Sequence, residues 1–163
     1  MWAPTPKPLH STDYFVVKRL FQDVFDLTED KYLPAVWKDR ERENSLGIWH
    51  PDGALMATAL VRGHVLEYIC VSPHAQGDGL GTILLNAVIQ RCPALHLTPV
   101  NDDRVIRWYE RHGFVLTAQD GDKLTYSRYP WSLRSRIKRA SLDLHLLLKP
   151  HAWNDRSETS VSA

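Results

Sequence analysis

The stretch from Leu66 to Leu85, LEYICVSPHAQGDGLGTILL, constrains the fold more than any other part of the chain. It reads as strand, stop, glycine loop and helix. Leu66 to Val71 is a short apolar and aromatic run interrupted by Glu67. Ser72 and Pro73 end it, because proline has no N–H to donate to a sheet ladder. Gln76-Gly77-Asp78-Gly79-Leu80-Gly81 follow, and Leu80, Ile83, Leu84, Ala87 and Val88 then recur at helical spacing. Glycines directly before a helix let the backbone approach a ligand closely, and the unbonded amides of the first turn face outward. That is an anion site, and phosphate is its commonest occupant. The alternative is a tight turn with no ligand.

Two phosphate motifs do not fit. The dinucleotide fingerprint needs G-x-G-x-x-G; Gly77 and Gly79 match, but Thr82 stands where the third glycine belongs. No acidic residue closes a following strand about 20 residues on, where the ribose contact would lie. A Walker loop would need a Gly-Lys-Ser/Thr ending, which is absent. Gln76-x-x-Gly79-x-Gly81 instead resembles the acetyl-CoA loop of the GNAT superfamily of N-acetyltransferases, R/Q-x-x-G-x-G/A. Downstream, DDRVIRWYERHGF (Asp102 to Phe114) resembles the same superfamily's N-x-x-A-x-x-x-Y-x-x-x-G-F segment. Tyr109, Gly113 and Phe114 are in register, while Asp102 stands for the usual Asn, with Asn101 one position early, and Val105 for the usual Ala. Glu67, nine residues before Gln76, resembles the LE-D-x-x-V segment of polyamine and other small-amine acetyltransferases. The three matches fall in the right order across about a third of the chain.

The resemblance implies an α/β (α+β) fold: a single domain with a central mixed, mostly antiparallel sheet flanked by helices, here residues 11–129. Residues 1–10, with three prolines among the first eight, read as a tail or a short edge strand. Ser11 or Thr12 can cap a first helix with Phe15, Leu20, Val24 and Phe25 on its apolar face. A break at 27–28 precedes a charged second helix over about 34–43, opened by Pro34. Strands are expected at 46–50, 54–61 and 66–71, and at 94–98 after a helix ending near Cys92-Pro93. The Tyr109 helix stops at Gly113, and 114–118 with 123–128 form a hairpin. The superfamily usually has a strand before its first helix, for which little sequence remains. Residues 130–149 form a basic helical extension, with Arg134, Arg136, Lys138 and Arg139 beside an apolar spacing, able to pack on its own domain or to meet an acidic surface. Residues 150–163 are polar and read as disordered.

With 163 residues the chain can bury a core unaided, and a net charge of +1 gives no general attraction to nucleic acid or membrane. Cys70 and Cys92 are too few for a disulfide framework and lack metal spacing. An intracellular setting, cytoplasmic or nuclear, is therefore expected, with no signal peptide, membrane span or metal. The protein is expected as a monomer or homodimer.

Acetyl transfer to an amine needs a proton acceptor, since an alkylammonium has a pKa of about 10.4. It also needs donors for the oxyanion and a proton for the departing thiolate. The resemblance gives Glu67 the role of proton acceptor, directly or through water, or of substrate anchor. The plainer alternative is a strand-edge carboxylate paired with an arginine. Tyr109 would protonate the thiolate; its alternative is a core tyrosine. Backbone groups of Ile69, Cys70 and Val71 would hold the thioester and pantetheine arm, because the superfamily bulges its strand there. Gln76, Gly77, Asp78, Gly79, Leu80, Gly81 and Thr82 would hold the pyrophosphate, with Asn101 completing the acetyl-CoA site. Asp78 puts a carboxylate in that loop, so it must face solvent or weaken binding. Strand alternation sets Glu67, Ile69 and Val71 on one face and Cys70 on the other, which argues against Cys70 as a nucleophile. His64 and His96 are reserve bases. Asp23, Asp26, Glu29 and Asp30 cluster where this superfamily borders its acceptor groove, so a cationic amine such as a polyamine is expected, bound by Asp26, Glu29, Asp30 and Glu67. A lysine-bearing or N-terminal protein amine is the alternative acceptor, and a non-catalytic CoA-binding module the alternative class.

Overall fold

The computed structural model describes residues 1–25 and 31–130. The expected extension and tail after residue 130, and Asp26, Glu29 and Asp30, lie outside them. Two compact units divide the chain, residues 1–95 and residues from His96 onward. Among the described residues there are seven sheet strands and four α-helices, which is the α/β class expected.

In the first unit, β1 (Lys7–Pro8), β2 (Leu46–Trp49), β3 (Leu55–Arg62) and β4 (Val65–Val71) pair antiparallel in that order. The strand before the first helix is thus present but only two residues long. A 3-10 turn over Ser11–Asp13 leads into α1 (Tyr14–Phe25). The entry is not capped by Ser11 or Thr12. The His10 amide donates to the Asp13 carboxylate at 2.7 Å, satisfying the chain from one residue earlier.

α1 buries Val17, Leu20 and Phe21, with Val24 packed beside them. This is the i, i+3, i+4, i+7 stripe. Phe15 does not share it: it is 77% exposed, and Phe25 is 38% exposed. The buried stripe joins Leu33 and Val36 of α2 (Leu33–Asp39) and Leu60 and Cys70 of the sheet in one cluster. Tyr68 lies against it, its ring 4.8 Å from that of Phe21. α2 ends at Asp39 rather than near 43. The Arg40 guanidinium lies 3.7 Å over the Trp37 ring and donates to the Trp37 carbonyl at 2.7 Å, so a side chain takes the place of the next helical amide. Alternation puts Ala57, Ala59 and Val61 on the opposite face of β3, leaving it to α3 (Leu80–Arg91), whose Leu84, Leu85 and Val88 are fully buried. β5 (Leu95–Leu97) follows.

In the second unit, α4 (Asp103–Arg111) starts under Asp102, whose carboxylate accepts from the Arg104 amide at 2.8 Å. It ends at Gly113: the Gly113 amide donates to the Glu110 carbonyl and the Phe114 amide to that of Tyr109, a Schellman closure. Phe114, 1% exposed, then packs edge-on to Tyr109. β6 (Val115–Asp120) and β7 (Lys123–Arg128) form the expected hairpin, with one residue, Thr117, bulged out of the register.

The α1 stripe gives a direct contrast. Phe21→Ala should cost about 3–5 kcal/mol, whereas Phe15→Ala should stay within about 0.5 kcal/mol. Urea denaturation of the two variants measures this, and a comparable loss from Phe15→Ala would contradict the assigned face.

Candidate active site

The glycine loop is shaped by backbone sign before any side chain acts. Gly77 has φ 92° and Gly79 φ 77°, values that L side chains rarely adopt. Gly79 is the N-cap of α3, the residue just before its first turn. The first helical bond runs from the Ile83 amide to the Gly79 carbonyl, and the amides of Leu80 and Gly81 donate to no described residue. These donors sit at the positive end of a 12-residue helix dipole. Leu80, 2% exposed, plugs the turn into the core, and the Gln76 amide group donates to the Val71 carbonyl at 3.3 Å, tying the loop to the end of β4. Asp78 is exposed, as are Gln76, Gly77 and Gly79 around it.

β4 departs from simple alternation. Leu60 pairs with Tyr68 and Val61 with Leu66, so Glu67 is an extra, bulged residue. Against β3, the stretch from Ile69 to Val71 pairs regularly with Ala59, Thr58 and Ala57; the irregularity expected there falls at Glu67 instead. The register also puts Leu66, not Glu67, in phase with Ile69 and Val71. Glu67 turns to Arg62 across the tight turn: Arg62 Nε donates to Glu67 Oε1 at 2.9 Å and Nη2 lies 2.6 Å from the same oxygen. The pair is partly open, the side chains 39% and 23% exposed. Arg62 has no place in the sequence reading as a partner of Glu67; its signal is the hairpin register, which pairs it with Val65, two residues before Glu67.

Cys70 lies in the α1–α2 cluster, and burial pushes its thiol up to about 12. Such a thiol stays protonated and is no nucleophile at neutral pH. His64 Nδ1 lies 3.6 Å from the buried Cys92 sulfur.

In the second unit, Tyr109 is 6% exposed, and burial pushes its phenol well above the ordinary range. Its hydroxyl makes no hydrogen bond to any described residue. Asn101 is exposed just ahead of α4, where Asp102 does the capping. Asp23, on α1, is exposed. Among the described residues no group of three His, Cys, Asp or Glu side chains gathers as metal ligands, and no helix is long and apolar enough to cross a membrane.

The sequence profile of the acetyltransferase (GNAT) family matches residues 14–114. The chain belongs to this family. It is an acyltransferase whose acyl donor is acetyl-CoA, and its single α/β domain with a seven-strand mixed sheet and flanking helices is the GNAT fold. Solved structures agree in fold. A histone acetyltransferase HPA2 and related acetyltransferase from Corynebacterium glutamicum is 19% identical, with 79% of this chain and 97% of that one covered and a TM-score of 0.62. The ribosomal-protein-S18-alanine N-acetyltransferase of Escherichia coli is 20% identical over 77% and 91%, with a TM-score of 0.60. Arabidopsis thaliana Naa50, in complex with the bisubstrate analogue CoA-Ac-MVNAL, is 16% identical over 77% and 97%, with a TM-score of 0.63. No curated protein matches by sequence.

The loop of this GNAT chain leaves open space beside its unbonded amides. A Cβ built on Gly77 or Gly79 meets nothing within 4 Å, so both glycines face open space beside the unbonded amides. A side chain there would fill that space and strain the backbone. CoA at a hundred times its Kd should stabilise the wild-type chain by about 2.7 kcal/mol, or about 5–10 °C in Tm. Gly79→Val should remove that shift in a thermal melt with and without CoA. A retained shift would reduce the loop to a turn.

Proposed function

We propose that this chain transfers the acetyl group of acetyl-CoA to a primary amine, and that its acceptor is a small cationic amine such as a polyamine. The observation that carries the transfer is the pair of unbonded amides at Leu80 and Gly81 beside two positive-φ glycines. Bound there, acetyl-CoA supplies a thioester, which exchanges its C–S bond for a C–N bond. The loop amides fix the donor's anionic end, and the backbone from Ile69 to Val71 holds its arm.

Tyr109 supplies the proton for the sulfur. Burial keeps its phenol protonated at neutral pH, and its hydroxyl is not committed to a described partner. Glu67 is the anchor for the acceptor's ammonium. Arg62 grips one of its oxygens, Oε1, which leaves Oε2 for a second cation. The bulge carries that carboxylate out of the ladder's alternation, and its 23% exposure keeps it reachable. Asp23, Asp26, Glu29 and Asp30 would add a diffuse attraction, screened over about 10 Å at 0.1 M salt.

A protein N-terminal amine is the second reading. It is favoured by the relatives whose names give a ribosomal protein alanine or a peptide-bearing bisubstrate analogue. Steady-state kinetics separate the two. A diamine should exceed a monoamine of similar length in kcat/KM, and the advantage should shrink at high salt. A clear preference for a peptide amine would overturn the polyamine reading and leave the transfer itself standing.

Two substitutions separate the roles. Tyr109→Phe should lower kcat by roughly 10²-fold while the CoA-induced Tm shift stays. Glu67→Gln should raise KM for a diamine by about tenfold, equivalent to about 1.4 kcal/mol, with kcat largely kept. A kcat loss without a KM change would return Glu67 to proton transfer.

A further inference from the structure

Trp2, Lys7, Asp13, Trp49, His50 and Pro51 are among the residues that line a cavity of about 560 Å³ in the first unit. That volume suits a small organic ligand. β2 and β3 lie between this edge of the sheet and β4, the strand that leads into the glycine loop. No residue of the loop lines the cavity.

The floor is Trp49, and Gly47 decides how its ring lies. Gly47 is a buried strand residue without a positive φ, so no turn calls for glycine there. A Cβ at this position would meet Trp49 Cη2 at 2.7 Å and Cζ3 at 2.9 Å. The benzo end of the indole therefore lies directly over the glycine, in space that any other residue would fill. Trp49 packs on the α1–α2 cluster and lines the cavity at once. The side wall is Trp2 against the His50 ring, centroids 5.2 Å apart and planes at 68°. His50 is held in turn. Its Nδ1 lies 2.9 Å from Asp52 Oδ1, which also accepts from the Ala54 amide at 2.9 Å.

The polar groups of the cavity are unequal. Lys7 pairs with Gly47 across the ladder, so its side chain leaves β1 on the face that carries the Trp49 ring. The Lys7 ammonium makes no hydrogen bond or ion pair with any described residue. The Trp49 indole N–H also donates to no described residue, and it is not sealed from solvent. Asp13 is the one carboxylate among the described lining residues, and it is already engaged. Its Oδ2 accepts from the His10 amide at 2.7 Å, and the Arg40 guanidinium lies within its electrostatic reach. Two donors are free and the acceptor is committed.

We propose that this cavity binds a planar aromatic carboxylate, with its ring against Trp49 and Trp2 and its carboxylate on the Lys7 ammonium. Indole faces and edges give an aromatic guest offset or edge-on contacts. A charge-assisted hydrogen bond holds an anion more firmly than a neutral amide of the same shape. A cation would also be drawn to the indole faces, but it would lie beside the unpaired Lys7 and share Asp13 with Arg40. The proposal does not depend on the acetyl-transfer reading.

Three probes of similar shape and different charge test it on the full chain: naphthylacetate, naphthylacetamide and naphthylethylammonium. 1H–15N spectra report the indole N–H signals of the six tryptophans. Naphthylacetate should shift those of Trp2 and Trp49 saturably, and naphthylacetamide should bind roughly tenfold more weakly. Lys7→Met keeps the apolar stem and removes the charge, so it should bring these two probes to equal affinity. Gly47→Ala, which displaces the Trp49 ring, should weaken all three probes. Lys7 is exposed, so if Gly47→Ala does not fold, the Lys7→Met comparison decides. Equal affinities for the three probes in the wild type would overturn the proposal, leaving apolar contact alone. Tightest binding of the cation would make Asp13 the recognising group and overturn it too. So would shifts confined to other tryptophans, or shifts that do not saturate.

Discussion

Two backbone amides with no carbonyl to bond, those of Leu80 and Gly81, set the terms for the first unit. The first amides of a helix have no carbonyl within it, so what surrounds them decides where they point. Here three features do. Pro73 ends β4, and a 3-10 turn over Pro73–Ala75 separates strand from helix. Gly77 and Gly79 then reverse the sign of φ, which carries upstream carbonyls away from the first turn. Finally α3 is fixed from below by Leu80, Leu84, Leu85 and Val88, all at most 2% exposed. Ala57 and Ala59 on β3 are small enough for the helix to lie close. The helix cannot rotate to satisfy its own amides without exposing that row. Water or an anionic ligand is left to pair them.

That arrangement was legible in the sequence because glycine and proline act locally and at known positions. The stop at Pro73, the loop at 76–81 and the end of α4 at Gly113 depend on the nearest few residues alone. The strands were legible for a similar reason, since apolar runs bounded by Pro51-Asp52-Gly53 and Arg62-Gly63-His64 admit few other readings. Side-chain choices between competing partners were not. Phe15 and Phe25 are as hydrophobic as Phe21, and only the sheet beneath α1 selects Val17, Leu20 and Phe21 as the buried set. The end of α2 carries no glycine or proline; Arg40 folding over Trp37 ends it. The entry to α1 looked like a serine or threonine cap, but the chain arrives one residue early through a 3-10 turn and Asp13 takes the His10 amide.

Burial acts in the same sense on the two buried titratable groups the sequence brought forward. Desolvation disfavours the charged form of each, so both are pushed up. For Cys70 this removes reactivity, because the thiolate is the nucleophile. For Tyr109 it holds the phenol in its protonated form. The motif could name the tyrosine but not this consequence, which comes from the Phe114 and Trp108 rings packed against it.

Strict alternation misplaced Glu67, and the reason is a bulge. Glu67 is the extra residue of β4, and Thr117 is that of β6. A bulge leaves one residue outside the ladder and shifts the phase of everything beyond it by one. A sequence reads such a residue as a polar interruption, on whichever face strict alternation assigns. In the folded chain the same residue is free of that alternation, so its side chain can be aimed along the strand rather than up or down. Glu67 uses this freedom to reach Arg62, whose Nε donates to its Oε1 at 2.9 Å. Thr117 uses it to reach both the Thr125 carbonyl and Ser127. Each bulge gives up a ladder pairing, worth about 1 kcal/mol, and regains hydrogen bonds from a side chain. Deleting either residue would restore a regular ladder and leave the sheet intact. It would also leave Arg62 without its carboxylate, or Ser127 without its bond to Thr117. The irregularities of the two strands therefore answer to the polar groups they orient, and not to the packing of the sheet.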